Sequence, residues 1–439
     1  MINSATRRLV MIIGWACLAL MAVLSFVALC VWIENRFPAD ENQPTMAPVA
    51  QRWVTKPVVN ALSRQVSRYV RHRLETLYLS TGLTLEETIA RFLDETVPLA
   101  DRRVYAYRLA RVGTPPALAA LLKVFQTAPP EHQAFMAQLI GSTGNPAVKP
   151  WLLPLLNDPN PQLAQAALRG LCVIGGADVT ELVTAILGDA QRPESVRVEA
   201  ALGLGTLGTP PARAALVAAL RETPSETMAT TLLRSLGRFD FPAIEEVFTE
   251  FLAAPDIPAG LREVAVEALA QSSTAAVPFL MGTAAHDADE TVRAAAAWAI
   301  SAHGEVRHLG PELAQLAQRE QDPDVRRRLY EAMLPQSALP ADELLPVVLA
   351  EADVAARVAG FNALGRAVAS QPASPLRAQF DQAIVPELQQ IASSENTLNI
   401  RMRAVFALRR AGTPGAREAL VVIAQNSTPQ IAVAASRGL

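Results

Sequence analysis

An all-α solenoid is the fold this sequence predicts, and three observations predict it. Apolar residues make up 51% of the chain and aromatics only 5%, and the apolar stock is mostly Ala, Leu and Val, which suits close-packed helices better than sheets. At 439 residues the chain exceeds the roughly 250–300 at which a single core stops growing, so it must divide or repeat. Residues 102–439 do repeat: Leu109–Leu121 reads LARVGTPPALAAL, Leu204–Leu216 reads LGTLGTPPARAAL and Leu408–Leu420 reads LRRAGTPGAREAL.

The N-terminal elements come first. After a short tail (1–8), the run Leu9 to Ile33 holds 25 residues without a charge, more than the ~20 that span a bilayer, and predicts a transmembrane helix. Arg7 and Arg8 precede it, whereas Arg36 and Arg52 follow more sparsely. That asymmetry places the N-terminus in the cytoplasm and the body in the periplasm of a bacterial inner membrane. Residues 34–57, with Pro38, Pro44, Pro48 and Pro57, read as an extended tether. Residues 58–101 form a basic neck. Val59, Leu62, Val66, Tyr69, Val70 and Leu77 share one helical face, Arg64, Arg68, Arg71 and His72 share the opposite, cationic one, and Arg64, Arg68, Arg71 and Arg73 are the candidate contacts. Two readings stay open for those arginines: contact with anionic headgroups or a partner, or a solvated face of the solenoid's first capping helix. A further helix is expected from Thr84, which stands at capping-box spacing from Glu87 and turns Ile89, Phe92 and Leu93 inward.

The repeated strings have one physical reading. Gly113, Gly208 and Gly412 end a helix in the left-handed conformation, Thr114, Thr209 and Thr413 cap the next, and Pro115, Pro210 and Pro414 occupy its first turn. Gly144-Asn145-Pro146 is the same device with Asn as the cap. From Gly113 to Gly144 is 31 residues and from Gly144 to Gly208 is 64, a period of about 32. Between Gly208 and Gly412 the spacing exceeds six such periods by 12 residues, placed around Val368–Phe380. The array therefore holds about ten hairpins in a right-handed stack.

Helix starts such as Ser195-Val-Arg-Val-Glu-Ala-Ala-Leu202, Thr291-Val-Arg-Ala-Ala-Ala-Ala-Trp298 and Asp324-Val-Arg-Arg-Arg-Leu329 resemble the HEAT-like repeats named after phycobilin lyases. The resemblance covers roughly three quarters of the chain. It implies an interaction scaffold, with two enzyme lineages as exceptions, the bilin lyases and a di-iron hydroxylase of a modified lysine. The hydroxylases hold iron with adjacent His-Glu pairs, and this sequence has no His-Glu dipeptide: Glu131-His132 is reversed and His286-Asp287 stands alone. His303 and His308 are five apart, which does not place two imidazoles on one helical face.

Composition excludes other classes. The net charge of −3 divides into eleven basic and six acidic groups over residues 44–111 and 25 against 33 over residues 112–439, so no long basic surface for nucleic acid exists. Cys17 and Cys30 lie in the apolar run, which leaves Cys172 alone as a small core residue. No phosphate-binding glycine loop or nucleophile elbow occurs, and Gly203 and Gly205 end a helix and follow no strand. Arg213, Arg234, Arg262, Arg293, Arg326 and Arg357 recur near helix starts and are expected to neutralise carbonyls and acidic side chains between repeats. The expectation is therefore a membrane-anchored scaffold that presents a solenoid to a protein partner, without catalytic, metal or cofactor residues. The alternative is a lyase-type or cofactor-handling enzyme.

Overall fold

The computed structural model describes residues 83–222, 224–371 and 374–438. The chain divides into two compact units, 1–87 and 88–439, and the repeats lie in the second. The predicted spanning run 9–33, the tether and the arginines Arg64, Arg68, Arg71 and Arg73 lie outside the described residues.

Helix α1 (Leu85–Leu93) starts where expected: the Glu87 amide donates to Thr84 Oγ1 at 3.1 Å and the Thr84 amide to Glu87 Oε2 at 2.7 Å. Ten hairpins follow among the described residues. They are α2 (Leu99–Val112) with α3 (Pro115–Thr127), α4 (Pro130–Ser142) with α5 (Lys149–Leu155), and α6 (Pro161–Ile174) with α7 (Ala177–Gly188). Next come α8 (Glu194–Leu207) with α9 (Pro210–Arg221), α10 (Glu226–Leu236) with α11 (Glu245–Ala253), and α12 (Ala259–Ala268) with α13 (Val277–His286). The last four pair α14 (Glu290–Ala302) with α15 (Gly310–Arg319), α16 (Pro323–Ala332) with α17 (Ala341–Leu349), α18 (Val354–Ser370) with α19 (Leu376–Gln379) and α20 (Val385–Ser393), and α21 (Leu398–Ala411) with α22 (Pro414–Asn426). Helix α23 (Pro429–Ser436) packs on α21 and α22.

The punctuation behaves as its chemistry dictates, with one exception. Gly113, Gly208 and Gly412 take φ of 59, 64 and 58°, a conformation that carries a steric penalty for any residue with a Cβ. Thr209 and Thr413 accept from the amides of Ala212 and Ala416, but Thr114 makes no such bond and its buried hydroxyl has no partner. The 12 extra residues lengthen α18 to 17 residues and insert a π-helical turn, Phe380–Ile384, between α19 and α20.

First helices of successive hairpins (α2, α4, α6, α8, α10, α12, α14, α16, α18, α21) stack as one row, and second helices lie against them in a sparser second row. Small residues set the close spacing of the first row. A Cβ on Gly141 of α4 would come within 2.4 Å of the Gly170 Cα on α6, one on Gly205 within 2.8 Å of the Ser235 Cβ on α10, and one on Gly237, just after α10, within 2.3 Å of the Ala268 carbonyl oxygen. Rows of unequal spacing curve a stack towards the closer row, so the first row is the inner wall of this unit. Its core is a ladder of one large aliphatic per repeat, all buried: Leu109, Ile140, Leu171, Leu204, Leu236, Leu269, Ile300, Met333, Leu364 and Leu408.

Arginines staple the repeats at the ends of the second-row helices. Arg293 donates through Nη1 to the carbonyls of Asp287 and Ala288 at 2.9 and 3.2 Å and grips Glu320 with Nε and Nη2 at 2.7 and 3.0 Å. Arg326 repeats this, with Nη1 on the carbonyls of Gln321 and Glu320 and Nη2 on Glu351 Oε1 at 2.8 Å. Arg357 donates to the Glu351 carbonyl and pairs with Glu387, and Arg262 pairs with Asp287. Arg293, Arg326 and Arg357 thus satisfy carbonyls at second-row helix ends and tie one inter-repeat turn to the next, whereas Arg262 contributes the ion pair alone. Arg197, Arg213 and Arg401 do a similar task through a carbonyl, donating to those of Leu187, Ala243 and Ala392 at 2.8, 2.8 and 2.9 Å.

The localisation expected from the sequence is corrected here. No helix among the described residues is long and apolar enough to cross a membrane. Even α18, at 17 residues, is shorter than the ~20 a span requires and carries Arg357 and Arg366. A single-pass inner-membrane assignment with a periplasmic solenoid therefore has no spanning helix among the described residues to rest on.

Two predictions follow from this packing. Gly141→Ala forces backbone against backbone and is expected to destabilise the unit by about 2 kcal/mol or more. Gly282→Ala, at a helical site with open space around it, is expected to stabilise by up to ~1 kcal/mol; urea midpoints of the full chain that moved in the same direction would refute the close-contact account. The second concerns acid. Burial raises the Glu320 and Glu351 carboxyls, but the bonds from Arg293 and Arg326 and from following backbone amides outweigh it and hold both below the ordinary glutamate value. A carboxyl lowered by folding stabilises above its unfolded pKa, and that contribution is lost as pH falls through the folded pKa. Thermal stability is expected to drop on acidification below the ordinary glutamate range, and Glu320→Gln with Glu351→Gln to lower the neutral-pH midpoint and flatten the drop.

Candidate functional site

The inner wall has a second register beside its buried ladder. Two positions before each buried aliphatic stands a residue that points out of the row: Tyr107, Gln138, Arg169, Leu202, Arg234, Glu267, Trp298, Glu331, Asn362 and Phe406. All are exposed or half-buried. Helical geometry explains the pairing, since two residues apart is about 200° around the axis. The inward position is always a large aliphatic, while the outward one changes chemistry at nearly every step.

Apolar residues on this outward row are unusual in kind. Tyr107, Trp298 and Phe406 are the exposed aromatics among the described residues, and all three stand in it. The exposed large apolar residues of the second row, Leu153, Leu349, Val421 and Val422, are aliphatic. Single exposed apolar residues are ordinary on any surface. Aromatics gathered into one register of one wall are what a contact surface presents. The arginine ladder divides here too: Arg262, Arg293, Arg326 and Arg357 are occupied between repeats, whereas Arg234 stands exposed in the outward row.

Around Trp298 the wall opens into a cavity of about 480 Å³. Glu263 and Glu267 of α12 form one side, Glu290, Thr291, Ala294, Ala295 and Trp298 of α14 the floor and lip, and Asp322, Asp324, Arg327 and Arg328 the α16 side. Asp324 pairs with Arg327 at 2.9 Å, Arg328 pairs with Glu331 at 3.1 Å, and Asp322 accepts the Val325 amide as the cap of α16. Glu331 in turn pairs with Arg403 of α21. None of Glu263, Glu267 and Glu290 has an ion-pair partner among the described residues. Burial, then the like charges of Glu267 and Asp289, push the Glu263 carboxyl above its ordinary value. The one hydroxyl in the lining, on Thr291, donates to Asp289 Oδ1 at 2.6 Å, and no imidazole lines the cavity.

Other residues singled out by the sequence are structural. His303 is buried with Nε2 3.1 Å from the Leu269 carbonyl oxygen, which assigns the proton to Nε2. Asn160 caps α6 by accepting the Gln162 amide at 3.0 Å. Cys172 is buried against Gly203, and burial, then the nearby Glu199, push its thiol up to about 12. No group of three His, Cys, Asp or Glu side chains among the described residues could hold a metal. Sequence reasoning missed the outward row, including Trp298, Glu267 and Phe406; aligning the repeats on the buried aliphatic and stepping back two would have found it.

Comparison with known proteins gives the repeat a name. A family description for HEAT repeats matches residues 118–194, 150–237, 214–301 and 246–334, so this chain carries HEAT repeats. No curated protein matches the chain. Among solved structures, one describing Kap95p binding to RanGDP is similar at 14% identity and a TM-score of 0.47, covering 82% of this chain and 55% of that one. Kap121p is similar at 14% identity and a TM-score of 0.41, covering 94% and 48%. Human deoxyhypusine hydroxylase matches at 16% identity and a TM-score of 0.21, covering 81% and 94%. The chain spans about half the length of the first two structures.

The environment of Cys172 predicts inertness. A thiol raised so far is almost wholly protonated at neutral pH and does not react as a thiolate. Iodoacetamide at neutral pH is expected to leave Cys172 unmodified in the native chain and to modify it in urea, read at that residue by peptide mass spectrometry; rapid native labelling would overturn the buried assignment.

Proposed function

We propose that this HEAT-repeat chain is a non-enzymatic binding scaffold whose inner wall receives a protein partner. One observation carries the reading: across ten repeats the buried position keeps one chemistry while the outward position two residues earlier varies and gathers the exposed aromatics. Folding alone explains the constancy of the buried ladder, because each hairpin buries its apolar stripe against its neighbours. Folding does not require Tyr107, Leu202, Trp298 and Phe406 to face outward, where polar side chains would serve solubility better. Tyr and Trp are also the residues that anchor protein interfaces, since they bury large area with few rotatable bonds.

A photocrosslinking amino acid placed at Leu202, Trp298 or Phe406 in the full chain, expressed in its own cells, tests this. Discrete protein adducts are expected from all three positions and not from Leu153 or Val421 on the second row. Adducts spread evenly over both rows, or absent from the inner wall, would sink the proposal.

A further inference from the structure

We propose that the cavity lined by Glu263, Glu267, Glu290 and Trp298 docks an arginine- or lysine-bearing segment of the protein partner, its cationic side chain lying over the Trp298 indole and ion-paired to those glutamates. This deepens the scaffold reading and rests on it.

Charge complementarity is the first support. The lining holds five carboxylates and two guanidiniums. Both guanidiniums are occupied, Arg327 by Asp324 and Glu331 and Arg328 by Glu331, and Asp322 is spent on capping α16. What remains is a surplus of three carboxylates, Glu263, Glu267 and Glu290, with no ion-pair partner among the described residues. Glu263 and Glu267, four residues apart, share one face of α12, where like charges repel. The raised Glu263 carboxyl records that repulsion together with burial. A cation entering the cavity relieves it.

Trp298 is the second, independent support. Three guanidiniums lie over aromatic rings in the described chain, Arg103 over Phe135, Arg108 over Tyr105 and Arg409 over Phe406; none lies over Trp298. Its exposed indole, the strongest cation-binding ring among the side chains, therefore offers a face with no guanidinium of the described residues over it, at the lip of a cavity with more carboxylates than guanidiniums. Phe406 at the equivalent outward position already has its own arginine, so the two sites are not alike.

Size and spread decide the chemistry of the occupant. A metal ion needs ligands converging on one point, and no such group exists among the described residues. The glutamates belong to two helices of different repeats and flank a space of about 480 Å³, within the range of about 300–1,000 Å³ typical of ligand pockets. Extended side chains of a peptide satisfy carboxylates set apart in this way.

The test is fluorescence anisotropy of the full chain with short labelled Arg-Gly, Lys-Gly and Glu-Gly peptides. The two basic peptides are expected to bind, more weakly as salt is raised, and the acidic one not to. Glu263→Gln with Glu267→Gln should weaken binding about tenfold, and Trp298→Ala about as much, while Trp298→Phe retains part of it. Glu245→Gln with Glu246→Gln on second-row α11 is the control for bulk charge and should change nothing. Circular dichroism and thermal midpoints should match the parent for every variant, all of which alter exposed or half-buried side chains. No peptide binding, or an equal loss in the α11 control, overturns the assignment. So does displacement by spermine combined with indifference to Trp298→Ala, which would mark a general counter-ion sink. Should the peptides fail while crosslinks at Leu202 and Phe406 persist, the scaffold stands and this site falls; if the crosslinks fail as well, both fall.

Discussion

Everything in the repeat unit depends on how closely the first-row helices approach one another. At α4 and α6 the approach is backbone to backbone, across Gly141 and Gly170, and at α18 and α21 a Cβ on Gly365 would meet the Ala407 carbonyl oxygen at 3.0 Å. Side chains of ordinary size at these crossings would push the row apart. The buried ladder from Leu109 to Leu408 fills the space between the rows, and it can do so only at the spacing the small residues permit. The second row, with no such constraint, spreads, and the difference between the rows produces the inner wall.

The same closeness leaves problems that the arginines solve. Bringing hairpins together buries the carbonyl ends of second-row helices at every inter-repeat turn, where unpaired acceptors destabilise. Arg293 and Arg326 satisfy those carbonyls and at once neutralise Glu320 and Glu351. Their bidentate, half-buried geometry makes them stronger than exposed pairs such as Arg221 with Glu250. Arg197 and Arg401 cap the Leu187 and Ala392 carbonyls in the same way, and between Arg262 and Glu387, the stretch that contains the acidic cavity, the successive arginines also pair with a carboxylate of the next repeat.

Much of the architecture was legible in the sequence because it is written in local chemistry. Gly-Thr-Pro fixes a helix end, a cap and a first turn within three residues, and the spacing of those signals gave ten hairpins and the site of the 12-residue insertion. Thr114 shows the limit: the same string as at Thr209 leaves its hydroxyl unpaired, although its backbone, at φ −72°, matches that of Thr413, which does cap. The form of the insertion, a longer α18 and a π-helical turn, was not legible either, since nothing in Pro372 and Pro375 distinguishes a loop from an extended helix. The candidate site was the least legible part. Trp298 was visible as part of a helix start, Thr291–Ile300, and read there for fold alone. Glu263, Glu267 and Glu290 are unremarkable helical charges until α12 and α14 are set side by side.

Why the cavity lies where it does follows from composition at one helix. α14 reads ETVRAAAAWAISA, and its four consecutive alanines serve two faces at once. Ala296 and Ala297 are fully buried and let α14 lie close between its neighbours, while Ala294 and Ala295 line the cavity floor. A longer side chain at either floor position would fill the space between the α12 glutamates and the α16 arginines. Small residues thus do in the outward register what Gly141 and Gly170 do in the inward one, but to the opposite end: between helices they close a gap, and on the wall they keep one open. Nearest-neighbour stacking allows this, because the outward residues of one repeat can change without disturbing the buried ladder. A wall built this way can hold a rigid spacing and still vary its surface repeat by repeat, which is the physical requirement for recognising one partner and not another.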